Sequence, residues 1–262
     1  MPLSSVKMMI ADDGWDSRAW TQGDWLYRDP RRPEVYPRLL TEARLMPWLA
    51  PQLPLPVPVP VPTATGVRHR LLVGVPMADD HASTTIGHSL GLFLKALHSV
   101  DPAAALSHGA TDQETAATAR SAELERMRAR VLPLLPTRLQ PAGKELLDTV
   151  QTPHTSLIHG DLGPGHILIQ DGAVAGIIDW TDSNLGDPAL DLSWLLYGAS
   201  ELMARSVGNA YGVREVERRR ALRWHRLAPW YSVGHGLATG QPEVVESALA
   251  EVIARLSGRR NG

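Results

Sequence analysis

Cysteine is absent from all 262 residues. Disulfides, thiolate metal sites and cysteine nucleophiles are thereby excluded, and a reducing compartment is compatible with the chain. An excess of one charge is also lacking: 26 Lys and Arg stand against 28 Asp and Glu, a net charge of −2. That balance gives no polyanion-binding surface, so nucleic acid is not an expected partner. No run is long and apolar enough to span a bilayer. The opening residues, MPLSSVKMMIADD, meet carboxylates too early for the apolar stretch of a signal peptide. No membrane association and a cytoplasmic location are the expectations. What is present is ordinary globular composition, 44% hydrophobic and 21% charged, in a chain long enough for one large domain or two modest lobes.

The first quarter reads as β-rich. Arg18 to Thr21 and Trp25 to Arg28 flank Gln22-Gly23-Asp24, a hairpin pattern. VYPRLLTEARLMPWLA then predicts a helix with Pro37 in its first turns and Leu39, Leu40, Ala43 and Met46 on one face. The alternating prolines of LPLPVPVPVPTATG cannot occupy a central strand, so an extended edge segment inside the first lobe is expected. Arg70 to Val75 reads as a strand after it. From residue 83 the pattern is helical: Ser83 or Thr84 can cap a helix whose face is Ile86, Leu90, Phe93, Leu94 and Leu97. Helices are also predicted around 112–132 and 141–150, and from Pro188 onward with breaks near Gly208, Gly212 and Gly234–Gly240. A β island over 156–179 interrupts them.

That island holds the chemistry. It runs Leu157-Ile158-His159-Gly160-Asp161-Leu162-Gly163-Pro164-Gly165-His166, then Gly176-Ile177-Ile178-Asp179-Trp180. Asp171-Gly172 between alternating apolar residues is a two-residue hairpin signal. A turn there makes paired residues sum to 343, which sets His166 opposite Ile177 and Asp179 just past the same open end. The loop carrying Asp161 leads into that end. Two carboxylates and an imidazole therefore gather in one small volume. Phosphoryl transfer needs such a set: one carboxylate to orient and deprotonate a hydroxyl, others to hold a hard cation on nucleotide phosphates.

The ordered blocks HGDLGPGH, IIDW and GDPALDL resemble the aminoglycoside phosphotransferase family, relatives of protein kinases. GLFLKALHSVDP and GLATGQPEVVESALAEV extend the likeness over most of the chain. The resemblance implies an α+β, bilobal protein-kinase-like fold. It places a nucleotide-binding lobe at residues 1–77, with a hinge at about 73–77, and a catalytic and substrate-binding lobe at 78–262. It implies Asp161 as catalytic base, Asp179 as Mg²⁺ ligand, and His159 as an anchor of the loop. Asp187 and Asp191 would brace that loop, with Asp187 as N-cap of the next helix and Pro188 at its first position. Arg28 would take the place of a phosphate-binding Lys, with Glu42 as its ion-pair partner. Gly14-Trp15-Asp16-Ser17 would form the loop over the phosphates, and Val73 and Val75 would belong to the hinge that bonds the base. GTP or ATP is the implied phosphate donor, a small-molecule antibiotic the acceptor, and a monomer the expected state. His166 stands where most of the family has Asn. Pro164-Gly165-His166 is similar instead to the macrolide phosphotransferase branch, and His166 becomes a second metal ligand.

The charge pattern bears on the acceptor. From residue 198 onward six acidic residues face ten arginines, a net of +4. That does not suit a polycationic aminoglycoside and leans toward a macrolide. Three other readings compete. A nucleotide-binding pseudokinase without turnover has His166 as its only support. Gly87-His88-Ser89-Leu90-Gly91 matches a serine-hydrolase nucleophile elbow, but the apolar period from Ile86 to Leu97 places Ser89 inside a helix. His154, His159 and His166 fit no zinc spacing. Trp224 and Trp230 could line an apolar pocket, although core packing is the simpler reading.

Overall fold

The fold is described from a computed structural model over residues 9–12, 16–150 and 156–258. The small lobe is a five-stranded antiparallel sheet of order β1-β2-β3-β5-β4, where β1 is Met9–Asp12, β2 Ser17–Gln22, β3 Trp25–Pro30, β4 Val61–Pro62 and β5 Val67–Arg70. Gln22 pairs with Trp25, which leaves the tight turn that Gly23-Asp24 predicted. Helix α1 (Tyr36–Leu49) covers one face of this sheet, and Val35, Leu39 and Ala43 bury against Val67. Leu40 is only half-buried, and Glu42 takes a buried place on the helix instead. Arg28 and Val67 are directly paired neighbours, so Arg28 shares the sheet face that looks at α1. On the opposite face Trp20 stacks on Tyr27 with ring centroids 4.0 Å apart.

The proline run ends in the edge strand β4, as its missing N–H groups require. It also reaches the second lobe, where the Pro56 carbonyl accepts from Ile177 N at 3.0 Å. The single strand expected over 70–75 is in fact two. β5 stops at Arg70, and β6 (Val75–Pro76) joins another sheet by pairing with β8. The chain changes sheets there, so no single ladder can hold the whole stretch.

The larger lobe begins with α2 (Thr84–His98), α3 (Pro102–Ser107), α4 (Gln113–Arg130) and α5 (Gln140–Thr149). Ser83 caps α2 by accepting from Ile86 N, and all five residues of its apolar stripe are buried. The β island holds β7 (Ser156–Ile158), β8 (Ile167–Gln170) and β9 (Ala173–Ile177), and β10 (Asn184–Gly186) returns to pair with β7. Helices α6 (Leu192–Tyr197), α7 (Glu201–Tyr211), α8 (Glu215–Thr239) and α9 (Pro242–Leu256) complete the lobe. Gly212 and Gly240 cap α7 and α8, whereas Gly208 and Gly234 lie within those helices. The core runs from α2 through the island to α8: the one phenylalanine, Phe93, meets Trp180 edge-on, and Trp224 and Trp230 are buried.

Ser89 lies mid-helix and donates to the Thr85 carbonyl. A nucleophile elbow needs a strand leading to the serine, so the hydrolase reading falls. The two glycines around it have a packing reason. A Cβ on Gly91 would stand 2.7 Å from Ala210 Cβ and 2.8 Å from Val207 O, and one on Gly87 would stand 2.8 Å from Met203 O. They let α2 and α7 approach closely. Gly91→Ala is expected to destabilise the protein by about 1–3 kcal/mol through overpacking, read as a lower urea midpoint at unchanged slope. An unchanged midpoint would refute the close packing.

Candidate active site

The hairpin delivers the site, with one change of register. Asp171 and Gly172 both have positive φ, 52° and 74°, which is the two-residue turn that Asp-Gly favours. Gln170 pairs with Ala173 and Ile169 with Val174, but Leu168 then pairs with Gly176. A bulge at Ala175 shifts the ladder by one. His166 therefore lies opposite Ile178, whose N–H it accepts at 2.9 Å, rather than opposite Ile177. Asp179 follows at once, and its own φ of 63° turns the chain out of the strand. A non-glycine residue held there is strained, as functional sites often are.

The loop before the hairpin is pinned from below. Asp191, fully buried, accepts from His159 N at 2.8 Å and Gly160 N at 2.9 Å. Its carboxylate also meets His98 Nε2 at 3.0 Å, and His98 Nδ1 meets the Tyr211 hydroxyl. His159 donates from Nε2 to the Ile178 carbonyl at 2.9 Å and accepts Asp161 N at Nδ1. Those bonds suit a neutral ring, and burial lowers its pKa. Gly160 has φ 90°, and a Cβ on it would sit 2.3 Å from the Asp182 carbonyl. Only glycine fits there. Asp187 is not the cap of the next helix, which starts at Leu192. Its carboxylate accepts from Ala189 N, Trp224 Nε1 and Arg220 Nε, and so fastens the loop to α8.

Asp161 stands at the cleft mouth with 63% of its side chain exposed. The surrounding protein partly desolvates it, and Asp182, Asp179 and Asp191 add like charge. Together they push its pKa up to about 6 against the pull of His166. His166 Nδ1 lies 2.6 Å from the Asp161 carbonyl, so that nitrogen donates. Its Nε2 then faces Asp179 Oδ2 across 3.8 Å, too long for a hydrogen bond but a gap that a cation could bridge. Although desolvation opposes it, the Arg28 charge holds the Asp179 carboxyl well below the usual carboxylate range.

Arg28 closes the site from the small lobe. It donates from Nη1 to Glu42 Oε2 at 2.9 Å, and from Nη2 to Asp179 Oδ1 at 2.7 Å and Thr181 Oγ1 at 2.6 Å. Its Nε reaches Ser17 Oγ at 3.5 Å. The structure thus brings together Ser17, Arg28, Glu42, Asp161, His166 and Asp179. Val73 and Val75 lie apart from that cluster, 61% and 55% exposed on the connection between the sheets. Gly14, Trp15 and His154 fall outside the described residues. Among the described residues no group of three or more His, Asp or Glu could hold a metal alone. Sequence reasoning missed Thr181, Asp182 and Arg38, whose polar side chains carry no periodic signal.

The model of the phosphotransferase enzyme family matches residues 10–230, a span that includes every residue of this cluster. The chain belongs to that family. Solved structures similar to this phosphotransferase confirm the kinase-like fold. The macrolide 2'-phosphotransferase MphH from Brachybacterium faecium, an apoenzyme, is 29% identical, with 94% of this chain and 91% of that one covered at a TM-score of 0.72. The GDP and kanamycin complex of APH(2")-IIia is 23% identical, with 98% and 95% covered at a TM-score of 0.84. The uncharacterised protein YcbJ of Bacillus subtilis (strain 168) is 52% identical over 50 residues, a match covering 18% of this chain and 16% of that protein. Among the described residues, no helix of the phosphotransferase is long and apolar enough to cross a membrane.

Proposed function

We propose that this phosphotransferase moves the γ-phosphate of GTP or ATP to a hydroxyl of a small-molecule antibiotic, the 2'-hydroxyl of a macrolide amino sugar. The observation that carries the reading is the meeting of Asp161, His166 and Asp179 under Arg28. Asp161 is the base: it orients the acceptor hydroxyl and takes its proton as the oxygen–phosphorus bond forms and the nucleoside diphosphate leaves. Ser17 and Arg28 face the phosphates, Glu42 fixes the Arg28 fork, and the connection through Val73 and Val75 carries the hinge near a lobe boundary at residue 77.

Asp179 Oδ2 and His166 Nε2 are the two groups that would hold Mg²⁺. The fit rests on their facing lone pairs, and on the habit of Mg²⁺ of taking few protein ligands beside phosphates and water. When bound, the ion neutralises charge on the phosphates. Imidazole is a softer donor than Mg²⁺ prefers, so His166→Asn keeps a ligand in place and His166→Ala does not.

The macrolide choice is supported by the 29% identity to MphH, by Pro164-Gly165-His166, and by the +4 balance after residue 198. The test is incubation of the protein with Mg²⁺, either nucleotide, and a panel of macrolides and aminoglycosides. A macrolide product heavier by one phosphate is expected. Phosphorylated aminoglycosides alone would reverse the acceptor assignment, and nucleotide binding without any transfer would leave a pseudokinase.

A further inference from the structure

Helix α1 presents two residues to the cleft one turn apart, Arg38 and Glu42, as a spacing of four requires. Glu42 serves Arg28. Arg38 is bonded elsewhere, to groups from both lobes. Its Nη1 donates to Asp16 Oδ2 at 2.8 Å, its Nη2 to Asp182 Oδ1 at 2.5 Å, and its Nε to the Thr181 carbonyl at 3.4 Å. Asp16 immediately precedes Ser17, and Arg32 grips it a second time at 2.5 Å. Asp182 lies three residues past Asp179, and its carbonyl is the group that presses on Gly160. A continuous path therefore runs from the strand beside the nucleotide, through one guanidinium, to the loop that carries Asp161.

Charge makes this path more than a tether. Asp16 belongs to the small lobe and Asp182 to the large one, and both carboxylates lean on the same cation. Without that cation Asp182 loses its partner and faces Asp16, which Arg32 pairs only from within the small lobe, so the attraction between lobes is lost. Nothing in the core depends on Arg38, whose side chain is 37% exposed. We infer that Arg38 is a positioning residue: by pairing with Asp182 it holds the nucleotide-side strand over the Asp179–Asp182 segment, and so sets nucleotide affinity. The inference rests on the kinase reading of the same cleft.

Binding of Mg²⁺-GTP and Mg²⁺-ATP to the full chain, measured by titration calorimetry, tests it directly. Arg38→Ala is expected to weaken the nucleotide that wild type binds by about tenfold or more, the size of one lost charge-assisted contact. Its unfolding midpoint should match wild type. Arg38→Lys keeps the charge but not the planar fork, and should fall between the two. Asp182→Asn breaks the same pair from the other side and should lose affinity similarly. Arg38→Ala combined with it should lose little more than Arg38→Ala alone, a non-additivity that two independent structural roles would not show. In turnover the loss should fall on the nucleotide KM, with the acceptor KM within about twofold. Arg38→Ala binding as wild type does, or losses that simply add in the double variant, overturns the inference while the kinase reading stands. A wild-type chain that binds neither nucleotide overturns both.

Discussion

Asp161→Asn is expected to lower kcat by about 10²–10⁴-fold, the range that a positioned general base contributes, while nucleotide affinity changes little. The side chain is isosteric, and Asp161 makes no bond that holds the fold: its carboxylate is exposed, and the local hydrogen bonds of the loop run through its backbone. The same residue dictates the pH profile. With a pKa raised to about 6, the carboxyl is protonated below that value and cannot accept a proton. The kcat/KM of the free enzyme should therefore fall about tenfold per pH unit on the acid side. Solvent screening of the exposed tip would move the limb toward lower pH, not higher. Asp161→Asn should erase the limb. A variant that retains wild-type turnover, or a wild-type profile flat down to about pH 4, would remove Asp161 from the chemistry.

Asp191→Ala is the largest stability loss expected, about 3–5 kcal/mol, because three donors lose one buried acceptor together. The amides of His159 and Gly160 and the His98 ring all converge on that carboxylate. Its pKa is lowered, with burial opposing and His98 prevailing. The stability it confers is therefore present above the ordinary carboxylate pKa and is lost as pH falls through the lower native value. The loss should appear in the urea midpoint, and turnover should fall with it, since the loop that aims Asp161 hangs from these bonds. Asp191→Asn retains one accepting oxygen and should recover part of both. A fully stable Asp191→Ala protein would mean that the loop is held by other contacts.

The features legible beforehand were those whose cause is local. The stripe from Ile86 to Leu97 follows from the period of a helix, and Asp171-Gly172 from the φ values that a tight turn demands. The H-G-D order around Asp161 carries its own reason, since Gly160 must pass the Asp182 carbonyl without a Cβ. Composition alone excluded thiolate chemistry. The bulge at Ala175 was not legible, because a single inserted residue leaves the alternation of a short apolar strand unbroken to either side. The strand expected over 70–75 failed for a related reason: local pattern specifies extended backbone, not which sheet receives it.

Tertiary structure decided everything that joins the two lobes. Arg28 and Asp179 are 151 residues apart, and Arg38 and Asp182 are 144 apart. Neither pair has a periodic or turn signal that would announce the other. An arginine reads in sequence as a solvated charge, and it becomes a clamp only when docking of two separately patterned units brings a carboxylate within reach of its fork. Sequence thus determined the elements and the reactive loop, through backbone sterics and apolar period. The cleft's electrostatics came from packing, because Coulomb interactions depend on distance in space and are blind to distance along the chain.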